Sequence, residues 1–91
     1  MSMNITKDID DYGTIRYTNE QGQFHREDGP AREWANGDKE WYLNGKLHRE
    51  DGPAIECANG DKSWYLNDKR YSEQEFNNLI LKKRLQKILE L

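Results

Sequence analysis

At 91 residues and 34% hydrophobic content, the chain has room for one small domain and excludes a large apolar core. Charged residues are equally abundant at 34%, but the net charge of −3 excludes the strongly basic field of a general nucleic-acid binder. A single cysteine, Cys57, excludes an internal disulfide, and no run approaches the ~20 apolar residues of a membrane span.

Residues 1–12 form an N-terminal segment without the charged-then-apolar pattern of a signal peptide, so a cytoplasmic location is expected. Residues 13–25, GTIRYTNEQGQFH, read as half of a unit that is then spelled out in full. That unit is HREDGPAREWANGDKEWYLNGKL at residues 25–47, followed without a gap by HREDGPAIECANGDKSWYLNDKR at 48–70. The two agree at 18 of 23 positions. A tandem unit this short cannot bury its own apolar face and must stack on a neighbour, which favours an extended binding surface over a unique catalytic centre.

Within the first full unit, strands are predicted at 31–35, 38–43 and 46–48, and in the second at 54–58, 61–66 and 69–71. Asn36-Gly37, Asn44-Gly45 and Asn59-Gly60 supply the positive φ angles of tight hairpins, with Asn67-Asp68 a weaker fourth. Pro30 and Pro53 punctuate the joins, because proline lacks the N–H that a central strand uses. Strand alternation puts Trp41 and Leu43 on one face as the expected core pair, and Tyr42 on the other. Altogether the turn spacing predicts a meander of roughly seven or eight short strands across residues 13–71.

After residue 71 the period changes. Ser72 and Glu75 form a capping box, and a helix is predicted over about 73–90 within the C-terminal segment 72–91. At about 100° per residue, Phe76, Leu79 and Ile80 share one face, while Leu81, Leu85, Ile88 and Leu89 lie on the opposite side. The first turns are therefore expected to pack on the chain's own sheet. The last three either curl around the same domain, fray, or meet a partner protein or a second copy, the last making a homodimer. The basic cluster Lys82, Lys83, Arg84 and Lys87 falls on these same turns.

The polar motif His-Arg-Glu-Asp occurs twice, at His25 to Asp28 and His48 to Asp51. Histidine beside two carboxylates suits an acid–base pair or a metal, but no further histidine or cysteine is spaced to complete a metal site. A scaffold role is favoured for His25, Asp28, Trp41, His48, Asp51 and Trp64. In it the aspartates bond backbone N–H groups of their own turns, the arginines reach acids of the neighbouring unit, and each histidine fills a half-buried slot as a donor. Cys57 stands where the first copy has Trp34 and is read as packing filler. No catalytic residue, metal or cofactor is assigned.

With these motifs in view, the WYLNGKLHREDGPA pattern resembles short β-hairpin repeats of bacteriophage and giant-virus proteins, which are related to the variant MORN repeat. Trp41-Tyr42-Leu43-Asn44-Gly45-Lys46 carries the ending typical of such a unit, and residues 64–69 repeat it with the glycine replaced. The resemblance implies a non-enzymatic, phage-encoded β-repeat scaffold that binds and inhibits or modulates a host protein in the bacterial cytoplasm, in the manner of an anti-CRISPR protein. The fold expected is mainly β, an antiparallel meander of about two and a half 23-residue repeats with one C-terminal helix. Expected contact residues are Trp34, Tyr42 and Tyr65 on the sheet and Leu81, Leu85, Ile88 and Leu89 on the helix, since aromatic anchors dominate protein interfaces. The alternatives are a nucleic-acid-binding accessory protein using the basic helix, or a small metal-dependent nuclease or hydrolase using His25 and His48.

Overall fold

The structure, a computed structural model, describes residues 4–90. The chain is mainly antiparallel β with a single C-terminal helix: β1 (Thr6–Ile9), β2 (Ile15–Thr18), β3 (Arg32–Glu33), β4 (Lys39–Glu40), β5 (Tyr42–Leu43), β6 (Lys46–Leu47), β7 (Ile55–Glu56), β8 (Lys62–Leu66), β9 (Lys69–Tyr71) and α1 (Glu73–Leu89). Seven strands form one sheet in the order β1-β2-β3-β4-β7-β8-β9, and β5 pairs with β6 in a separate ribbon. The molecule is a slab of 47 × 38 × 17 Å. Two stacked sheets alone need about 10 Å between their backbones, so this thickness corresponds to one layer with its side chains.

The same dipeptide makes two different turns. At Asn36-Gly37 only the glycine takes a positive φ, 101°, and the Gly37 N–H donates to Trp34 O (3.0 Å) while the Trp34 N–H donates to Asp38 O (2.9 Å). That is a three-residue loop with a glycine bulge. At Asn44-Gly45 both residues are left-handed, φ 50° and 80°, as a two-residue hairpin requires. Asn67 and Asp68 reproduce that geometry without glycine, φ 49° and 69°. Asp68 compensates with its side chain, which accepts the Leu47 N–H at 2.7 Å.

The predicted strand over 38–43 is broken at Trp41, because that residue changes partners. Its N–H donates to Ala54 O (2.7 Å) and its carbonyl accepts from His48 N (3.0 Å). The same pair of bonds occurs one unit earlier, from Tyr17 N to Ala31 O (2.8 Å) and from His25 N to Tyr17 O (2.9 Å). Each joint thus spans two units, so neither unit completes its hydrogen bonding without the next. Strand β1, for which the sequence carries no alternation signal, pairs with β2 in the register Thr6↔Thr18 to Ile9↔Ile15 and adds a ninth strand to those described.

The expected core pair is corrected. Trp41 and Leu43 are only half-buried, whereas Ala31 and Ala54 are completely enclosed and His25, His48, Phe76 and Ile80 are buried. No second layer encloses the aromatics of a single-layer sheet, whereas the joints fold back over their own alanines and histidines. Helix α1 starts as the sequence requires: the Glu75 N–H donates to Ser72 Oγ and the Ser72 N–H donates to Glu75 Oε1, both at 3.1 Å. Phe76 and Ile80 bury against the β8–β9 end of the sheet, and the stripe then changes sides.

Candidate functional site

The joints determine what the surface offers. Beside the donor role expected of them, which His48 fills towards Glu50, the His25 and His48 rings act as acceptors through Nδ1, taking the backbone N–H of Asn44 (2.9 Å) and Asn67 (3.0 Å), each 19 residues on. The proton therefore sits on Nε2, which in His48 faces Glu50 Oε2 at 3.0 Å and in His25 lies 3.9 Å from Glu27 Oε1. Both rings are buried, 4% and 9% exposed, inside their own hairpins. A ring protonated on both nitrogens could not accept these turn N–H groups. Among the described residues no group of three or more His, Cys, Asp or Glu side chains is placed to hold a metal ion.

The arginines and aspartates also behave differently from expectation. Asp28 and Asp51 accept the Nε–H of Arg26 (3.0 Å) and Arg49 (2.8 Å), two residues away in the same joint, instead of capping their turns. The guanidinium groups reach Pro30 O (3.2 Å) and Pro53 O (3.1 Å), and Arg49 adds Glu56 Oε1 of its own unit at 3.2 Å. What each arginine takes from the preceding unit is an aromatic ring. Arg26 stands over Tyr17 at 4.1 Å, and Arg49 over Trp41 at 3.9 Å. The structure thus pairs Tyr17 with Trp41 as equivalent positions, and a guanidinium held by an aspartate covers both rings.

Two clefts flank these aromatic positions. The first, about 570 Å³, is lined by Asp28, Pro30, Trp41, Arg49 and Glu50 among others, and Arg49 fills the space over the tryptophan. The second, about 500 Å³, lies between the sheet and α1, where Asp51, Pro53, Trp64 and Glu73 occupy the corresponding places. The residue 23 positions beyond Arg49 is Ser72, the N-cap of α1. No cation stands over the Trp64 ring among the described residues; the floor is completed by Phe76 and Ile80.

Charge in this region is held in place. Glu50 is kept below the ordinary glutamate range, chiefly by its hydrogen bond to His48 and then by Lys83, whose Nζ lies 3.1 Å away. Asp51 is lowered by its bond to Arg49. The Cys57 thiol is pushed up by desolvation and by the carboxylates of Asp38 and Asp61, which leaves it poorly nucleophilic.

The residues expected to form a contact surface are distributed over three places. Trp34 is exposed at a hairpin end beneath the Arg32 guanidinium (3.9 Å). Tyr42 is half-buried against Phe24, with ring centroids 5.2 Å apart, and burial raises its hydroxyl pKa. Tyr65 is half-buried in β8. The helix residues Leu81, Leu85, Ile88 and Leu89 are 51 to 81% exposed, and only Leu81 also touches the second cleft. Trp64, read from sequence as scaffold alone, is the residue that links this cleft to the helix. The signal was present in the repeat: shifting the second unit by 23 residues places Ser72 where both joints have arginine.

Compared with known protein families, curated proteins and solved structures, the chain matches none.

Proposed function

We propose that this chain is a non-catalytic protein-binding module that docks a partner on the outer face of α1. The observation that carries this reading is the change of face after Ile80, which leaves Leu81, Leu85, Ile88 and Leu89 in solvent on a helix whose earlier turns bury Phe76 and Ile80. Leu81, Leu85 and Ile88 are spaced four and three residues apart, the seam spacing of one helix against another. Lys82 and Arg84 flank that seam. A second copy would bring like charge to the same short stripe, whereas an apolar helix or groove edged by acidic residues complements it. The histidines favour no competing chemistry, because their Nδ1 atoms are committed to backbone N–H groups. The resemblance to phage repeat proteins supports a bacterial host protein as the target and inhibition as the outcome.

The test is an affinity capture from bacterial lysate with the parent and with Leu85→Glu/Ile88→Glu, alongside light scattering of both. One stoichiometric protein captured by the parent and lost in the double variant supports the reading. A parent that runs as a dimer and a variant that runs as a folded monomer would replace it with self-association. Recovery of nucleic acid alone, falling steeply with added salt, would replace it with the basic-helix alternative.

A further inference from the structure

The second cleft lacks the arginine that stands over the aromatic ring in the first: Ser72, Gln74 and Phe76 take the places of Arg49, Asp51 and Pro53, and α1 lines it instead. In the first, the ring of Trp41 carries a guanidinium at 3.9 Å, held from the side by Asp51 Oδ1 at 2.8 Å and by Pro53 O at 3.1 Å. The Tyr17–Arg26 pair repeats the arrangement at 4.1 Å, with Asp28 and Pro30 as the holding groups. At the third aromatic, Trp64, the chain turns into α1 at Ser72 and supplies no arginine. What remains is an open cleft of about 500 Å³ with an indole, Phe76 and Ile80 beneath it and Glu50, Asp51 and Glu73 at its sides.

We propose that this cleft binds the guanidinium of an arginine from a partner protein, stacked on the Trp64 ring with Glu73 in place of the aspartate that holds Arg49. The chemistry is selective. A planar, weakly hydrated cation stacks on an indole and presents its edge N–H groups to carboxylates, a combination that a lysine ammonium matches poorly. Glu73 is the acid best placed to receive it. It has no ion-pair partner among the described residues, whereas Glu50 is held by His48 and Lys83 and Asp51 by Arg49. Two cations, Lys62 and Arg84, also line the cleft and oppose a further positive charge. Arg84 therefore weakens the site, and its removal is expected to strengthen binding. This inference rests on the reading of the chain as a protein-binding module, and it adds an arginine-specific contact beside the apolar helix stripe.

The experiment is an NMR titration of the full ¹⁵N-labelled chain, following the indole N–H signals of Trp34, Trp41 and Trp64, with Trp64→Phe used for assignment. The probe is a blocked hexapeptide of residues 48–53, His-Arg-Glu-Asp-Gly-Pro, compared with the same peptide carrying alanine or lysine at the arginine. The expected result is a saturable shift of the Trp64 signal with the arginine peptide and binding about five- to tenfold weaker for the alanine peptide. The shift should weaken in Glu73→Gln and strengthen in Arg84→Ala, two exposed positions whose substitution leaves the core intact. A stationary Trp64 signal, equal responses to the arginine and alanine peptides, or equal movement of Trp41 would overturn the proposal. Should the peptide fail while the helix double variant still loses its captured partner, this site falls and the proposed function stands.

Discussion

The two full units, residues 25–47 and 48–70, share the core hydrogen bonds of their joints on partly different side chains, and where they differ is informative. Both bury a histidine that accepts an Asn N–H, and both hold an arginine between an aspartate, a proline carbonyl and the preceding aromatic ring. Three of their five differences, Arg32/Ile55, Trp34/Cys57 and Glu40/Ser63, form a single contact cluster. Arg32 stacks on Trp34 at 3.9 Å and approaches Glu40 to 3.8 Å, and Trp34 Nε1 reaches Glu40 at 3.4 Å. Arg32↔Glu40 and Ile55↔Ser63 are facing pairs in the sheet. The repeat thus varies as a group of touching residues, while the joints, which bond across unit boundaries, stay fixed.

The fixed part should be the costliest to break. His25→Ala and His48→Ala each leave a turn N–H without its acceptor and open a cavity where a buried ring stood. Each is expected to cost about 2–4 kcal/mol in urea unfolding. Asparagine, which retains an acceptor, should recover part of that loss. A cost below about 0.5 kcal/mol at either position would show that the ring merely fills space.

Next in size are the joint arginines. Arg49→Ala is expected to cost about 1–2 kcal/mol and Arg26→Ala somewhat less, because only Arg49 adds a bond to Glu56 and rests on an indole. Reversal of that order in matched urea titrations would mean that the extra carboxylate contributes nothing.

Transplanting the variable cluster sharpens the comparison. The triple change Arg32→Ile, Trp34→Cys, Glu40→Ser rewrites the first unit as the second and should alter stability by no more than about 1 kcal/mol. The single changes should sum to a larger loss, with a coupling of about 0.5–1 kcal/mol in a mutant cycle. Arg32→Ile is expected to be the mildest of them, since the Arg32 Nε is buried without a hydrogen-bond partner. Strict additivity would show that the three positions vary independently.

The smallest effect is a difference in pH response. Glu50 is lowered from the ordinary 4.5 by His48 and Lys83, whereas Glu27, 3.9 Å from His25, lies out in solvent. A carboxylate lowered by folding stabilises the fold above its ordinary value and loses that contribution as the pH falls through its lower folded value. At neutral pH Glu50→Gln should therefore unfold at lower urea than the parent, and the gap should close as the pH drops below about 4.5. Glu27, 83% exposed and 3.9 Å from His25, makes no such bond, so Glu27→Gln should cost less at neutral pH. Equal gaps for the two would remove the distinction between the joints.

Much of this molecule was legible before the structure, and the legible parts share a physical cause. The 23-residue period, the capping box at Ser72 and Glu75, the proline-marked joins and the change of helix face after Ile80 all rest on residues close together in sequence. Their geometry follows from backbone conformation, turn chemistry and helical pitch. Even locally there were limits. The two Asn-Gly pairs at 36–37 and 44–45 are identical as letters yet make different turns, because the strands flanking each impose their own separation.

The tertiary structure decided which groups meet across distance. That His25 and His48 accept hydrogen bonds depended on a ring closing onto a backbone N–H 19 residues later. That alanines and histidines are buried while Trp41 is not depended on the sheet remaining a single layer. The opening over Trp64 depended on α1 taking the place of a further joint. Sequence fixes conformational preferences over a few residues; pairing register and layer number emerge from many weak contacts satisfied together, and those contacts determined the surface this protein presents.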